Sequence, residues 1–184
     1  MPERENFQSE FERSEEQKEK IHILEQLNIG PAQKADLILV LMGLKPASEL
    51  EIFKNNDPKE KIEEALISAG LKIKEKPAKK NVVARYAISL DDDIVDRLML
   101  AEPNKDHEEY GRLMGYPETA IKAFGTDEKI SNDVLPDEDI VFSFTLSKNH
   151  KDEEMEVLRK WSRAIKENAP DLFKKLPKRG KNKS

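Results

Sequence analysis

The chain contains no cysteine. That removes disulfides, thiol catalysis, iron–sulfur clusters and Cys-ligated zinc from its chemistry. Paired histidines are lacking as well. His22, His107 and His150 stand at no helical ligand spacing, and His107-Glu108-Glu109 has no second histidine to complete a His-Glu-x-x-His zinc signature. There is neither a Gly-rich phosphate loop nor a Ser nucleophile elbow. No metal and no cofactor are therefore expected. Long apolar runs are absent too: the densest cluster, Leu37 to Met42, is far shorter than the ~20 residues that span a bilayer as a helix. Residues 1–20 are acidic and hold no apolar stretch of the kind a secretory leader needs. The expectation is a soluble, cytoplasmic protein with no membrane partner.

What is present in quantity is charge. Charged residues make up 38% of the 184 and hydrophobic residues 37%, with a net charge of -5 and a mean hydropathy of -0.75. The charge is unevenly placed. Residues 1–20 hold seven glutamates against four Lys or Arg, whereas Lys174 to Ser184 holds six Lys or Arg and no acid. Both ends have too few apolar groups to offset an ordering cost of ~1–2 kcal/mol per residue. The organisation expected is an acidic extension at 1–11, a single α+β domain at 12–177 and a basic tail at 178–184. The domain divides into a helical part, 12–70, and a sheet-containing part, 71–177. The tail could meet RNA, but short basic tails generally act as solubilising ends, so nucleic acid is not the expected partner.

Periodicity locates the elements. Glu12 to Asn28 favours helix, with Ile21, Leu24 and Leu27 as its stripe. Gly30-Pro31 breaks it and starts a second helix through Met42, apolar on most of its circumference and so central to the packing. Pro46 predicts a short helix through Leu50, Ile52 and Phe53. Asp57-Pro58 opens another, carrying Ile62, Leu66 and Ala69 and stopping at Gly70. Beyond Gly70 the period changes to two: Leu71 to Lys74 and Val82 to Leu90 read as an antiparallel hairpin. Asp91-Asp92-Asp93 leads a helix with Ile94, Val95, Leu98 and Met99. Ile140 to Leu146 is the clearest strand, and a helical crossover permits it to pair parallel with Val82–Leu90. A final amphipathic helix carries Met155, Leu158, Trp161, Ile165 and Asn168. These elements make an α+β fold: a small sheet of about three strands covered by helices, with a helical N-terminal third.

One joint is more specified than the rest. Tyr110 to Phe124 reads as one short helix ending and another beginning, with Gly115-Tyr116-Pro117 between them. Gly115 can close the first helix in the left-handed conformation, and Pro117 fits the first turn of the second. Tyr116 stands where Ser, Thr, Asp or Asn would be the usual cap. The order Glu109-Tyr110-Gly111-Arg112-Leu113-Met114-Gly115-Tyr116-Pro117-Glu118, then Ala123-Phe124, resembles an uncharacterised prokaryotic family of domains of unknown function marked by a Gly-Tyr-Pro-Glu-Cys-Cys motif. The resemblance covers about residues 82–176. Thr119 and Ala120 stand where that motif has its cysteines, and Ser147, Asn149 and Lys151 stand near the later cysteine positions. A metal or thiol role therefore does not transfer, and the family has no established activity to lend.

The candidate ligand-binding residues gather in two segments. At the joint, Gly115, Tyr116, Pro117, Glu118 and Thr119 surround free backbone N–H groups at a helix start, flanked by Tyr110 and Arg112. At a strand-to-helix turn, Ser147, Lys148 and Asn149 precede His150. Each has a structural alternative: Glu118 meets the helix dipole, Tyr116 belongs to the core, and Ser and Asn are ordinary turn residues. Asp91 to Asp93 could hold a divalent cation, but acids also collect at helix starts, which is the preferred reading. Trp161 is read as core or interface. No residue is assigned a catalytic role.

Three functions follow as expectations. The first is a non-catalytic, protein-binding or self-associating intracellular domain. The second is an enzyme or small-ligand binder with a pocket between the Gly115–Thr119 joint and the Ser147–His150 turn. The third is an RNA-associated accessory protein. A pocket at the joint, a hydrophobic patch or a continuous basic face would separate them.

Overall fold

A computed structural model of the protein describes residues 14–130 and 140–177; the extension 1–11 and the tail 178–184 lie outside the described residues. Helix α1 (Glu15–Glu25) starts at Ser14, whose hydroxyl accepts the Gln17 N–H at 3.3 Å, and two glutamates in its first turn meet the positive helix end. It buries Ile21 and Leu24. Helix α2 (Pro31–Leu41) opens on its proline, and the Gln33 side chain accepts the Gly30 N–H at 3.2 Å. Leu37, Ile38, Leu39 and Val40 are all fully buried. This apolar helix is the centre of the core, packed by α1 and by elements from both later parts of the chain.

The segment after Pro46 is a strand, not the expected helix. Strand β1 (Ala47–Ile52) alternates Leu50 and Ile52 with Glu49 and Glu51, and only the apolar set is buried there. The proline signalled a helix start, but an open edge of a neighbouring strand decided the outcome. That neighbour is β3 (Ala84–Ser89), which pairs antiparallel with β1 from Ala47↔Ser89 to Ile52↔Ala84. Between β1 and β3 come α3 (Lys59–Ser68), which stops at Gly70 with φ of +84°, and β2 (Lys72–Lys76). Strand β2 pairs antiparallel with the other side of β3, as the hairpin reading expects. The sheet order is β1-β3-β2, so β3 is central and all six of its residues are buried.

This topology explains a second difference. Ile140 to Leu146 does not join the sheet, because both edges of β3 are already taken by β1 and β2. Only Leu146–Ser147 is a strand, β5, paired antiparallel with β4 (Lys129–Ile130). The preceding residues run irregularly along the last long helix, α7 (Lys151–Asn168), where the Val141 N–H donates to Ser162 Oγ at 3.1 Å. Their side chains still pack: Phe142 and Phe144 meet Trp161 edge-on at 5.9 and 6.0 Å between ring centres. The α7 stripe of Met155, Leu158, Trp161 and Ile165 is buried as its spacing requires. A short α8 (Pro170–Lys175) adds Leu172 and Phe173 to the same core.

The sheet's second face carries α4 (Asp92–Leu100), whose Val95 and Leu98 pack with Ala47 and Ala87. Asp91 caps this helix, its carboxylate accepting the Asp93 and Ile94 N–H groups at 2.8 and 3.4 Å. Beneath α4 lies an ionic cluster that periodicity did not reveal. Arg85 binds the Glu49 carboxylate with two contacts at 2.7 and 2.8 Å and reaches Glu102 at 3.1 Å. Lys76, buried beside it, donates to Glu49 at 2.7 Å and to the Leu98 and Ala101 carbonyls at 2.6 and 3.0 Å. Two cations thus neutralise two carboxylates, and Lys76 also occupies the negative end of α4.

Candidate functional site

Two short helices frame the joint. Helix α5 (His107–Leu113) starts at Asp106, whose carboxylate accepts the Glu109 N–H at 3.2 Å. It ends through Gly115 in the left-handed conformation, φ +78°, with the Tyr116 N–H returning to the Gly111 carbonyl at 3.0 Å. Helix α6 (Glu118–Ala123) follows directly after Pro117. Gly115 also sits against the rest of the fold: a Cβ there would lie 3.0 Å from Pro46 Cδ and 3.5 Å from the Trp161 ring. A second glycine sets how closely the helices approach, since a Cβ on Gly111 would lie 2.8 Å from Ile121 Cγ1.

Helices α5 and α6 together with Phe144 and Thr145 line a solvent-open cavity of about 280 Å³. Ala120 and Ile121 contribute aliphatic wall, and Pro103 and Gly111 complete it beside the aromatic residues. Four aromatic residues line it, Tyr110, Tyr116, Phe124 and Phe144, in a chain that is only 6% aromatic. Tyr116 packs on Phe144 with ring centres 5.4 Å apart. Phe124 is 52% exposed and meets the His107 ring at a tilt, with centres 5.6 Å apart, forming the solvent-facing side of the cavity.

The phenols are held neutral. Burial, followed by the Asp36 and Glu49 carboxylates, pushes Tyr116 from 10.0 up to about 12. Burial, with Glu49, Tyr116 and Glu102 adding to it and Arg85 opposing, raises Tyr110 as well. Both are therefore hydrogen-bond donors at neutral pH. Among the described residues, neither hydroxyl has a hydrogen-bond partner, and the same holds for the hydroxyl of Thr145.

The other sequence candidates lie elsewhere. Arg112 is exposed and clamped between Glu118, at 2.9 and 3.0 Å, and Glu108, at 3.0 Å; its hydrogen bonds hold the Glu118 carboxyl below the ordinary 4.5. Pro117 serves as the cap of α6. Thr119 and Ser147 are brought together, but on a carboxylate that the sequence reading missed. Glu154, only 1% exposed, accepts the Thr119 hydroxyl at 2.6 Å, the Ser147 hydroxyl at 2.8 Å and the Ser147 N–H at 2.6 Å. The joint and the turn are thus tied by a side chain, and the cavity opens next to Tyr116 instead of between the two segments. Lys148 and Asn149 are exposed, Lys148 donating its N–H to the Glu128 carbonyl at 2.8 Å.

Beyond Tyr110 and Tyr116, the residues of the cavity escaped sequence reading. By sequence pattern Phe144 belongs to a strand, Phe124 to a helix end, and Ala120 and Ile121 to ordinary helix. The nearest signal was Gly111 inside a helical run, which marks a close approach. Among the described residues, no group of three His, Asp or Glu side chains is placed to hold a metal ion, and no helix is long and apolar enough to cross a membrane. Set against protein-family models, curated proteins and solved structures, the chain matches none.

Proposed function

We propose that this chain is a small-ligand-binding domain whose site is the cavity between α5, α6 and Phe144–Thr145. The observation that carries the reading is the concentration, around one space of about 280 Å³, of four aromatic walls and two phenols that have no hydrogen-bond partner among the described residues. Ligand sites are concave, mostly apolar and set with a few polar groups, and this volume lies just below their ~300–1,000 Å³ range, which suits a small ligand. The Gly115–Tyr116 joint is then a device for presenting Tyr116, and the proposed kinship with the uncharacterised prokaryotic family rests on that same joint. The cytoplasmic setting expected from the sequence belongs to the proposal.

Toluene is a suitable first probe, because it matches the walls and asks for no polar contact. Titration should shift the amide resonances of Gly111, Tyr116, Ala120 and Ile121, and toluene well above its Kd should raise the melting temperature by mass action. Ala120→Leu, which fills the space, should abolish both effects. Shifts scattered over the surface, or none, would overturn the reading.

A protein-binding or self-associating role is the second reading. It is favoured by Leu100, 86% exposed, and Ile67, 62% exposed, both large apolar groups left facing water. Sedimentation equilibrium over a wide concentration range tests it, with Leu100→Lys and Ile67→Lys as the variants that should suppress any association. Nucleic-acid binding draws less support: Lys79, between β2 and β3, is paired with Glu51 at 2.9 Å.

A further inference from the structure

We infer that the ligand is a small, neutral aromatic compound bearing one carbonyl acceptor, its ring among the aromatic walls and its oxygen taken up by the hydroxyls of Tyr110 and Tyr116. This deepens the small-ligand reading and rests on it. The walls set the body of the ligand. Tyr116 and Phe144 already meet as tilted rings with centres 5.4 Å apart, and Phe124 and His107 at 5.6 Å, so a further aromatic ring extends an existing cluster.

The unpartnered hydroxyls set its polar group. Polar groups taken out of water are normally hydrogen-bonded, and Tyr110, Tyr116 and Thr145 are half-buried. Tyr110, Tyr116 and Thr145 all line the cavity, and none of their hydroxyls bonds to another described residue. Elsewhere the fold satisfies such groups closely: Tyr86 donates to Glu63 at 2.5 Å, and Thr119 to Glu154 at 2.6 Å. An acceptor in the cavity would complete the set, and a carbonyl oxygen can take two donors at once.

Charge selects against the alternatives. Burial first, then the Asp36 and Glu49 carboxylates at Tyr116 and Glu49 at Tyr110, raises both phenols above their ordinary value, so neither offers a charge to a ligand. The wall carries no Lys or Arg to pair with a carboxylate or phosphate ligand. The wall itself carries no acidic side chain to pair with a cation. A neutral acceptor is the chemistry that remains.

The test uses three molecules of nearly one shape: acetophenone, with the carbonyl; ethylbenzene, without it; and benzoate, charged. Binding is followed by amide shifts at Gly111, Tyr116 and Ile121. Acetophenone should bind about tenfold more tightly than ethylbenzene, the ratio a single net hydrogen bond supplies, and benzoate should bind more weakly than acetophenone. In Tyr110→Phe/Tyr116→Phe, which removes no protein hydrogen bond, acetophenone should fall to the level of ethylbenzene while ethylbenzene is unchanged. Equal binding of acetophenone and ethylbenzene to the parent would overturn the carbonyl assignment and leave the cavity reading standing. Stronger binding of benzoate would overturn the neutral class. Failure of all three to shift those resonances would overturn the cavity reading itself.

Discussion

Thr119 donates its hydroxyl to the buried carboxylate of Glu154 at 2.6 Å, and so fastens α6 to α7. The same carboxylate takes both the hydroxyl and the N–H of Ser147. Hydrogen bonds to a charged group contribute roughly 1.5–3 kcal/mol each, and a buried donor left unpaired adds its own penalty. Glu154→Ala should therefore destabilise by about 3–5 kcal/mol, and Thr119→Val by about 1–2 kcal/mol. Urea denaturation of both checks this. Losses below ~0.5 kcal/mol in both would show that the three-way contact holds nothing together.

Gly111→Ala should destabilise, against the usual sign. In the interior of a helix, alanine is ordinarily favoured over glycine by about 0.5–1 kcal/mol. Here the new methyl would meet the buried Ile121 at 2.8 Å and push α5 from α6. A loss of about 1–3 kcal/mol is expected. Gly111→Ala/Ile121→Val, which trims the opposing methyl, should recover part of it. A stabilised single variant would mean that the helices do not approach as described.

Gly115→Val tests the joint. A β-branched side chain at φ +78° is strained, and its Cβ meets Pro46 at 3.0 Å. The loss should exceed the ~1 kcal/mol of a propensity change. Gly125→Val, at φ +79° with open space around it, serves as the control and should cost less.

The phenol of Tyr116 makes stability fall at high pH. Its folded value is raised from 10.0 to about 12, so its contribution is fully present below pH 10 and is lost as pH rises through about 12. The loss is on the order of 2–3 kcal/mol. Tyr116→Phe should match the parent near neutrality and unfold less readily than the parent above pH 10. Parallel alkaline profiles for the two proteins would contradict the shift. At the acid end the sign reverses. Glu102, held below 4.5 chiefly by its hydrogen bond to Arg85, contributes stability above that value and loses it as pH falls through the lower folded one.

Much of the fold was legible because its signals are local. The α7 stripe, the Gly30-Pro31 and Gly70 stops and the β2–β3 hairpin follow from period and turn chemistry alone, and Gly115 closes its helix as read. The failures are non-local. Ala47–Ile52 is a strand because β3 offers it an edge, and Ile140–Phe144 is not one because that edge is full. The cavity is harder still. Tyr110 and Tyr116 stood out as residues at a specified joint, but their common space depends on Gly111 meeting Ile121 and on Phe144 packing against Tyr116 from far along the chain. Glu154 was lost among the charged positions of an amphipathic helix, where one buried carboxylate looks like any exposed one.

The most direct test of the binding site is the set of intermolecular nuclear Overhauser effects between bound toluene and the protein. The expected result is contacts from the toluene methyl and ring to the Tyr116 and Phe144 rings and to the methyl groups of Ala120 and Ile121. Contacts to the exposed Leu100 and Ile67 side chains in place of these, or none from a saturated sample, would contradict it.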